Sequence, residues 1–190
     1  EDGRQKGEAD FMAGPSRDFG KISMPLHILK KAGPLTIREK QLLKSHPLTG
    51  YVLLAFYLGD HRHPAALVAR DHHERRDASG YPRGTTELDP VMEMVASCDV
   101  YDALLSPRPY RPLSFDNRSA LEEMTRMAES GILGWPCVEA LVACNRHGRP
   151  NVDQVVVSRD VRGTQPIGNC YGMLVDDENN LISQRELKSL

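Results

Sequence analysis

The sequence predicts an all-α helical bundle that carries a small β appendage at its C-terminal end. Three observations predict it. Apolar residues recur with helical spacing between residues 24 and 146, capping and breaking residues punctuate those windows, and neither βαβ alternation nor an internal repeat is present. After Arg149-Pro150 the composition shifts to β-branched residues and Asp/Asn-rich turns.

At the start of the chain, residues 1–15 are charged, lack an apolar period and read as a disordered lead-in or the edge of a fragment. "MPLHILKKAG" places Pro25 in a first helical turn, Leu26 and Leu29 on one face, and Gly33 as a stop. "TIREKQLLKSH" opens with Thr36 and Glu39 at capping-box spacing, a more specific signal than either residue alone. His46-Pro47 breaks that helix, and "LTGYVLLAFYLG" begins another that Gly59 ends. "HPAALVARDHHE" (63–74) is read as an amphipathic helix that includes both adjacent histidines. Helices over 89–106, 115–130 and 134–146 complete the bundle. Within 149–190, "NVDQVVVSRD" reads as extended, and "NCYGMLVDDENNLIS" as two short strands about a turn.

Composition limits the function classes. Twenty-four Lys plus Arg against 26 Asp plus Glu leave a net charge of −2, which gives no field for duplex nucleic acid or an anionic membrane. Any anionic ligand must be held by a local cluster. The four cysteines (98, 137, 144 and 170) form no CxxC pair and are expected to be reduced, mostly buried thiols in a cytoplasmic protein. No signal peptide opens the chain, and the longest uncharged stretch, residues 46–59, is too short to span a bilayer.

The polar residues that call for an explanation are His46, His72, His73, Asp18 and Asp99, each where a helix can aim it inward. Asp99 lies in the mainly apolar "VASCDVYDALL", where a carboxylate is costly to bury without a partner. His72 and His73 on consecutive helical positions point about 100° apart. That suits ligation of two ions about 3.5–4 Å apart, one each. Spacing alone leaves a solvent-facing pair equally open. His27, His61, His63 and His147 read as ordinary exposed or hydrogen-bonded side chains.

Three segments carry a resemblance: "RDFGKISMPLHILKKAGPLTIREKQLLKSHPLTGYVLL", "HHERRDASGYPRG" and "VASCDVYDALLSPRPYRP". In order and spacing they are similar to the HD-GYP family of metal-dependent phosphohydrolases, over roughly residues 16–146. The resemblance implies an all-α HD-domain bundle over 16–148 holding a cluster of iron or manganese ions. It also implies hydrolysis of the second messenger cyclic di-GMP by a metal-activated hydroxide. Carried over by position, Asp18 is a bridging and catalytic carboxylate, and Lys21 a catalytic group beside a phosphate oxygen. His46, His72, His73 and Asp99 are further metal ligands, and Arg108 and Arg111 face the nucleotide phosphates. Gly80-Tyr81-Pro82 is the name-giving turn, with Tyr81 beside the cleft and contacts to diguanylate-cyclase (GGDEF) domains implied for it.

The chain departs from the family at position 17, where Arg17 replaces the first signature histidine. A guanidinium has no free lone pair and cannot ligate a metal. Arg76 stands where a tryptophan often comes after "HHER", and the helices that usually precede the HD motif are not legible in residues 1–15. Two readings stand side by side: a phosphodiesterase with weak turnover, or a degenerate module that binds a nucleotide or a GGDEF partner in signalling.

Overall fold

The computed structural model describes residues 14–108, 113–145, 151–167 and 173–182. Seven α-helices and a two-stranded sheet are seen among them. A 3₁₀ turn over Phe19–Ser23 leads into α1 (Leu26–Leu29) and β1 (Leu35–Thr36). Then come α2 (Ile37–Leu43), α3 (His46–Leu58), α4 (Pro64–Asp71), α5 (Pro90–Leu105), α6 (Asn117–Glu129) and α7 (Trp135–Asn145). A second 3₁₀ turn spans Val152–Gln154, and β2 is Leu174–Val175.

Local chemistry sets most helix ends. Thr36 accepts from the backbone N–H of Glu39 at 3.2 Å while Glu39 accepts from that of Thr36 at 2.7 Å, closing the expected capping box. Asp89 and Asp116 cap α5 and α6 in the same sense, each accepting a backbone N–H of the first turn. His63 caps α4 through Nδ1, which accepts from Ala65 at 3.2 Å. Gly59 ends α3 at φ 65°, a conformation that suits a residue without Cβ.

Several expectations are corrected. His46 opens α3 instead of ending α2, which already stops at Leu43. Helix α4 ends at Asp71, so His72 and His73 lie in the turn beyond it and not on consecutive helical positions. Residues 151–160, read as extended, carry a 3₁₀ turn and no strand. Of the described cysteines only Cys137 is buried; Cys98 and Cys144 are exposed. Of the residues 1–15 expected to be disordered, 1–13 lie outside the described residues, while Gly14 and Pro15 are helical, which corrects that expectation for them.

Two apolar clusters hold the bundle. One joins α4 to α5 through Ala65, Val68 and Met92. The other, around Met124, Leu133 and Val138, joins α5, α6 and α7. The C-terminal segment folds back on this body. Leu174 and Val175 are buried and pair in parallel with Leu35 and Thr36. Glu122 of α6 accepts the backbone N–H groups of Arg162 and Gly163 at 2.9 Å.

One close approach positions the site. A Cβ on Gly20 would lie 2.0 Å from the carbonyl oxygen of His46 and 2.5 Å from the amide nitrogen of Gly50. Only glycine lets the 3₁₀ turn lie directly on the first turns of α3. That contact brings Asp18, two residues earlier, beside His46.

Candidate metal centre

Three imidazoles and one carboxylate converge at the junction of the 3₁₀ turn, the start of α3 and the end of α4. One ligand atom each from His46, His72 and His73 lies within 4.8 Å of the others. His46 Nε2 is 3.3 Å from His72 Nε2, and Asp18 Oδ1 is 3.5 Å from the former and 3.7 Å from the latter. Donors about 2.1 Å from a common ion in tetrahedral array stand about 3.4 Å apart, so these separations fit a shared cation.

The rings are set for that task by the backbone. His46 Nδ1 is 2.6 Å from the carbonyl of Leu43, and His72 Nδ1 is 3.1 and 3.0 Å from those of Val68 and Ala69. A carbonyl only accepts, so each Nδ1 carries the proton and each Nε2 turns a lone pair inward. Two such lone pairs facing each other at 3.3 Å repel unless a positive centre lies between them. Burial, reinforced by the neighbouring imidazole of His46, pushes His72 down to about 4. Burial likewise lowers His73, with His72 and His46 adding to the effect. Both rings are neutral at pH 7, the form that ligates. Burial alone raises the Asp18 carboxyl, but the Lys21 ammonium, 2.8 Å from Oδ1, holds it well below the usual range. The residues present therefore fit a divalent cation.

The GYP turn supports one ring of this set. Tyr81 stacks on His73 with centroids 4.7 Å apart and planes 20° apart, and its backbone N–H donates to the His73 carbonyl at 3.2 Å. A Cβ on Gly80 would sit 2.5 Å from the backbone of Glu74 and Arg75, so the turn packs against the His-His segment with no room for a side chain. Lys44 lies over the outer face of the Tyr81 ring, 5.0 Å from its centroid.

Sequence reasoning missed two carboxylates beside the histidines. Glu74 is fully buried and accepts the backbone N–H groups of Arg83 at 2.6 Å and Thr85 at 3.1 Å, which pins the loop after the GYP turn. Asp71 is buried between Arg70 and Arg83, with contacts of 2.8 to 3.1 Å. The available signal was their place: they bracket the two histidines directly.

The remaining predicted residues that are described have other partners. Asp99 is engaged by Arg17, whose Nε donates to Oδ1 at 2.7 Å. The two line a cavity of about 430 Å³ together with Gly14, Met94, Val95, Cys98 and Asp102. Arg108 stands 3.7 Å from Asp102, one of those lining residues. Arg111 falls outside the described residues. Arg76 forms a two-pronged pair with the buried Glu93 of α5.

A helical bundle that gathers histidines and an aspartate from separate helix ends defines a class, the histidine–aspartate metal-site domains. Comparison with known proteins makes the class specific. The HD domain family profile matches residues 2–133, and the chain belongs to that family, in its HD-GYP branch. It is 42% identical over 147 residues to the cyclic di-GMP phosphodiesterase response regulator RpfG of Xanthomonas campestris pv. campestris, covering 76% of this chain and 37% of that protein. It is 41% identical over 120 residues to a cyclic di-GMP phosphodiesterase of Thermotoga maritima, covering 62% of this chain and 31% of that one. A 3'3'-cGAMP-specific phosphodiesterase of Vibrio cholerae is 35% identical over 106 residues, 55% of this chain and 24% of its own length. The chain thus spans less than two fifths of the length of these curated relatives. No described helix is long and apolar enough to cross a membrane.

Proposed function

We propose that this chain is a metal-dependent phosphohydrolase domain acting on a 3',5'-linked cyclic dinucleotide, cyclic di-GMP in the first instance. The observation that carries the reading is the convergence of ligand atoms of His46, His72 and His73, with Asp18 Oδ1 beside the first two. Iron or manganese suits this mixed imidazole and carboxylate set. When bound, such an ion supplies Lewis acidity toward a phosphoryl oxygen and acidifies a water. Around it the chain's own residues have definite work. His46 and His72 hold their Nε2 atoms inward through their carbonyl-bound Nδ1 protons. Asp18 places Oδ1 at the centre, and the Lys21 ammonium beside it neutralises phosphate charge. Arg108 and Arg111 serve the second phosphate by their guanidinium forks.

The relatives' names support the substrate class: several are cyclic di-GMP phosphodiesterases, and others act on 3'3'-cGAMP. Tyr81 and the exposed Pro82–Gly84 edge of its turn offer the surface for a GGDEF-domain partner, and a cytoplasmic setting fits that partnership. A second reading, a binding module with little turnover, is favoured by one observation, the Arg17–Asp99 ion pair. An anaerobic hydrolysis assay separates the two, with added iron or manganese and products resolved as linear dinucleotide or GMP. Product formation that His72→Ala abolishes upholds the enzyme; tight cyclic di-GMP binding without product upholds the module.

A further inference from the structure

Arg17, read from the sequence as a departure from the family pattern, is held in a defined place. It is partly buried, and its partners are the Asp99 carboxylate and the Gly14 carbonyl. Its side chain is 27% exposed and that of Asp99 15% exposed, and Nε donates to Asp99 Oδ1 at 2.7 Å. The same Nε lies 4.0 Å from Asp18 Oδ2. Asp18 therefore faces two ways: Oδ1 looks toward His46 and His72, whereas Oδ2 looks toward the guanidinium. A cation that joined Asp18 to Asp99 would have to stand where the guanidinium stands.

We propose that Arg17 takes the place of a second metal ion, so that the centre holds one divalent cation at Asp18, His46, His72 and His73, with Asp99 serving as the counter-ion of Arg17. The inference rests on the metal-binding part of the function proposed above. Its physical basis is charge and geometry. To recruit Asp99, an incoming ion must break a partly buried, charge-assisted hydrogen bond and leave a permanent cation facing a dication. Arginine stays protonated at any accessible pH, so no proton release opens the position. The one-plus charge of the guanidinium balances Asp99 without needing a further ligand, and the imidazole side keeps its complete donor set.

The test counts ions. Metal-stripped full-length chain is titrated with Mn²⁺ by calorimetry, its content checked by elemental analysis after gel filtration, and its spin state read by electron paramagnetic resonance. Folding of each variant is monitored by circular dichroism. The wild type is expected to take one Mn²⁺ with the six-line signal of an isolated ion, and His72→Ala to take none. Arg17→His is expected to take two with an exchange-coupled signal, and Arg17→His combined with Asp99→Asn to return to one. Two ions on the wild-type chain overturn the proposal while leaving the metal reading intact. A folded Arg17→His protein that still takes one ion overturns it also. No Mn²⁺ on the wild-type chain removes the metal reading itself, and this proposal with it.

Discussion

Gly20→Ala tests whether one backbone contact holds the metal centre together. The new methyl group would meet the His46 carbonyl oxygen at 2.0 Å, where ordinary contact begins at 3.4 Å, so the turn must retreat from α3 by about 1.4 Å. Both obstructing groups are backbone, which leaves no flexible side chain to yield. Overpacking of this kind costs roughly 1–3 kcal/mol, and a backbone clash belongs at the upper end. For a chain of this size each kcal/mol lowers Tm by about 2–4 °C, so a drop of roughly 6–12 °C is expected. Asp18 moves with Gly20, away from a His46 contact of 3.5 Å. Displacing a group that orients a metal site typically lowers metal affinity about 10–100-fold. Calorimetric titration with Mn²⁺ and a thermal melt on the same preparation measure both quantities. Gly50→Ala is the graded control, since its Cβ would meet Gly20 N at 3.0 Å and the Ala69 methyl at 3.3 Å, and it should cost less on both counts. A Gly20→Ala protein with wild-type Tm and Mn²⁺ affinity would refute the claim that this contact places Asp18.

Three further outcomes are expected. Glu74→Gln turns an amide N–H₂ toward a buried backbone N–H, at a cost of about 1–3 kcal/mol, read as a lower urea midpoint. An unchanged midpoint would show that the loop at Arg83–Thr85 does not depend on that carboxylate. Tyr81→Ala removes the stack on His73, worth about 0.5–1.5 kcal/mol, and should weaken Mn²⁺ binding about 2–10-fold, while Tyr81→Phe retains it. Equal loss in both variants would shift the role to the hydroxyl. The third concerns acid. Folded His72 and His73 resist protonation, while the unfolded chain takes up protons below about pH 6.5. More protons on the unfolded state means stability rises with pH, so it is complete above pH 6.5 and declines as the pH falls toward 4. Asp18 adds its own loss only below the ordinary carboxylate range, because its folded value is held down. Urea midpoints of the metal-free protein at pH 7.5 and 5.0 check this, and equal midpoints would contradict the burial of the two rings.

Legibility in the sequence divides by range. The Thr36–Glu39 box, the Gly59 stop and the Asp89 cap are decided within four residues, so a local reading suffices. Motif order singled out His46, His72, His73 and Asp18, which the fold brings together. The path of the His-His segment was not. His72 still has helical angles, φ −62° and ψ −14°, and the course of the chain beyond it is fixed by Glu74 capturing amides nine and eleven residues onward. The partner of Arg17 was equally hidden, because Asp99 is 82 positions away. In "NVDQVVVSRD" β-branched propensity pointed to a strand, yet no strand forms there. Instead this segment is tied to the bundle at Arg159, whose guanidinium lies 5.5 Å from the Trp135 ring and 3.4 Å from Glu129.

The parallel pairing of Leu174 with Leu35 closes a loop far longer than the Arg17–Asp99 pair does. Such closures cost the most chain entropy and are rewarded last in folding. During synthesis every donor from Asp18 to His73 is made about a hundred residues before Leu174, so the ion-binding turn can settle while the strand that locks β1 does not yet exist. The tail then acts as a late latch on an already assembled bundle. Pulse-labelled amide exchange should accordingly show protection at His46–Leu58 before protection at Val175.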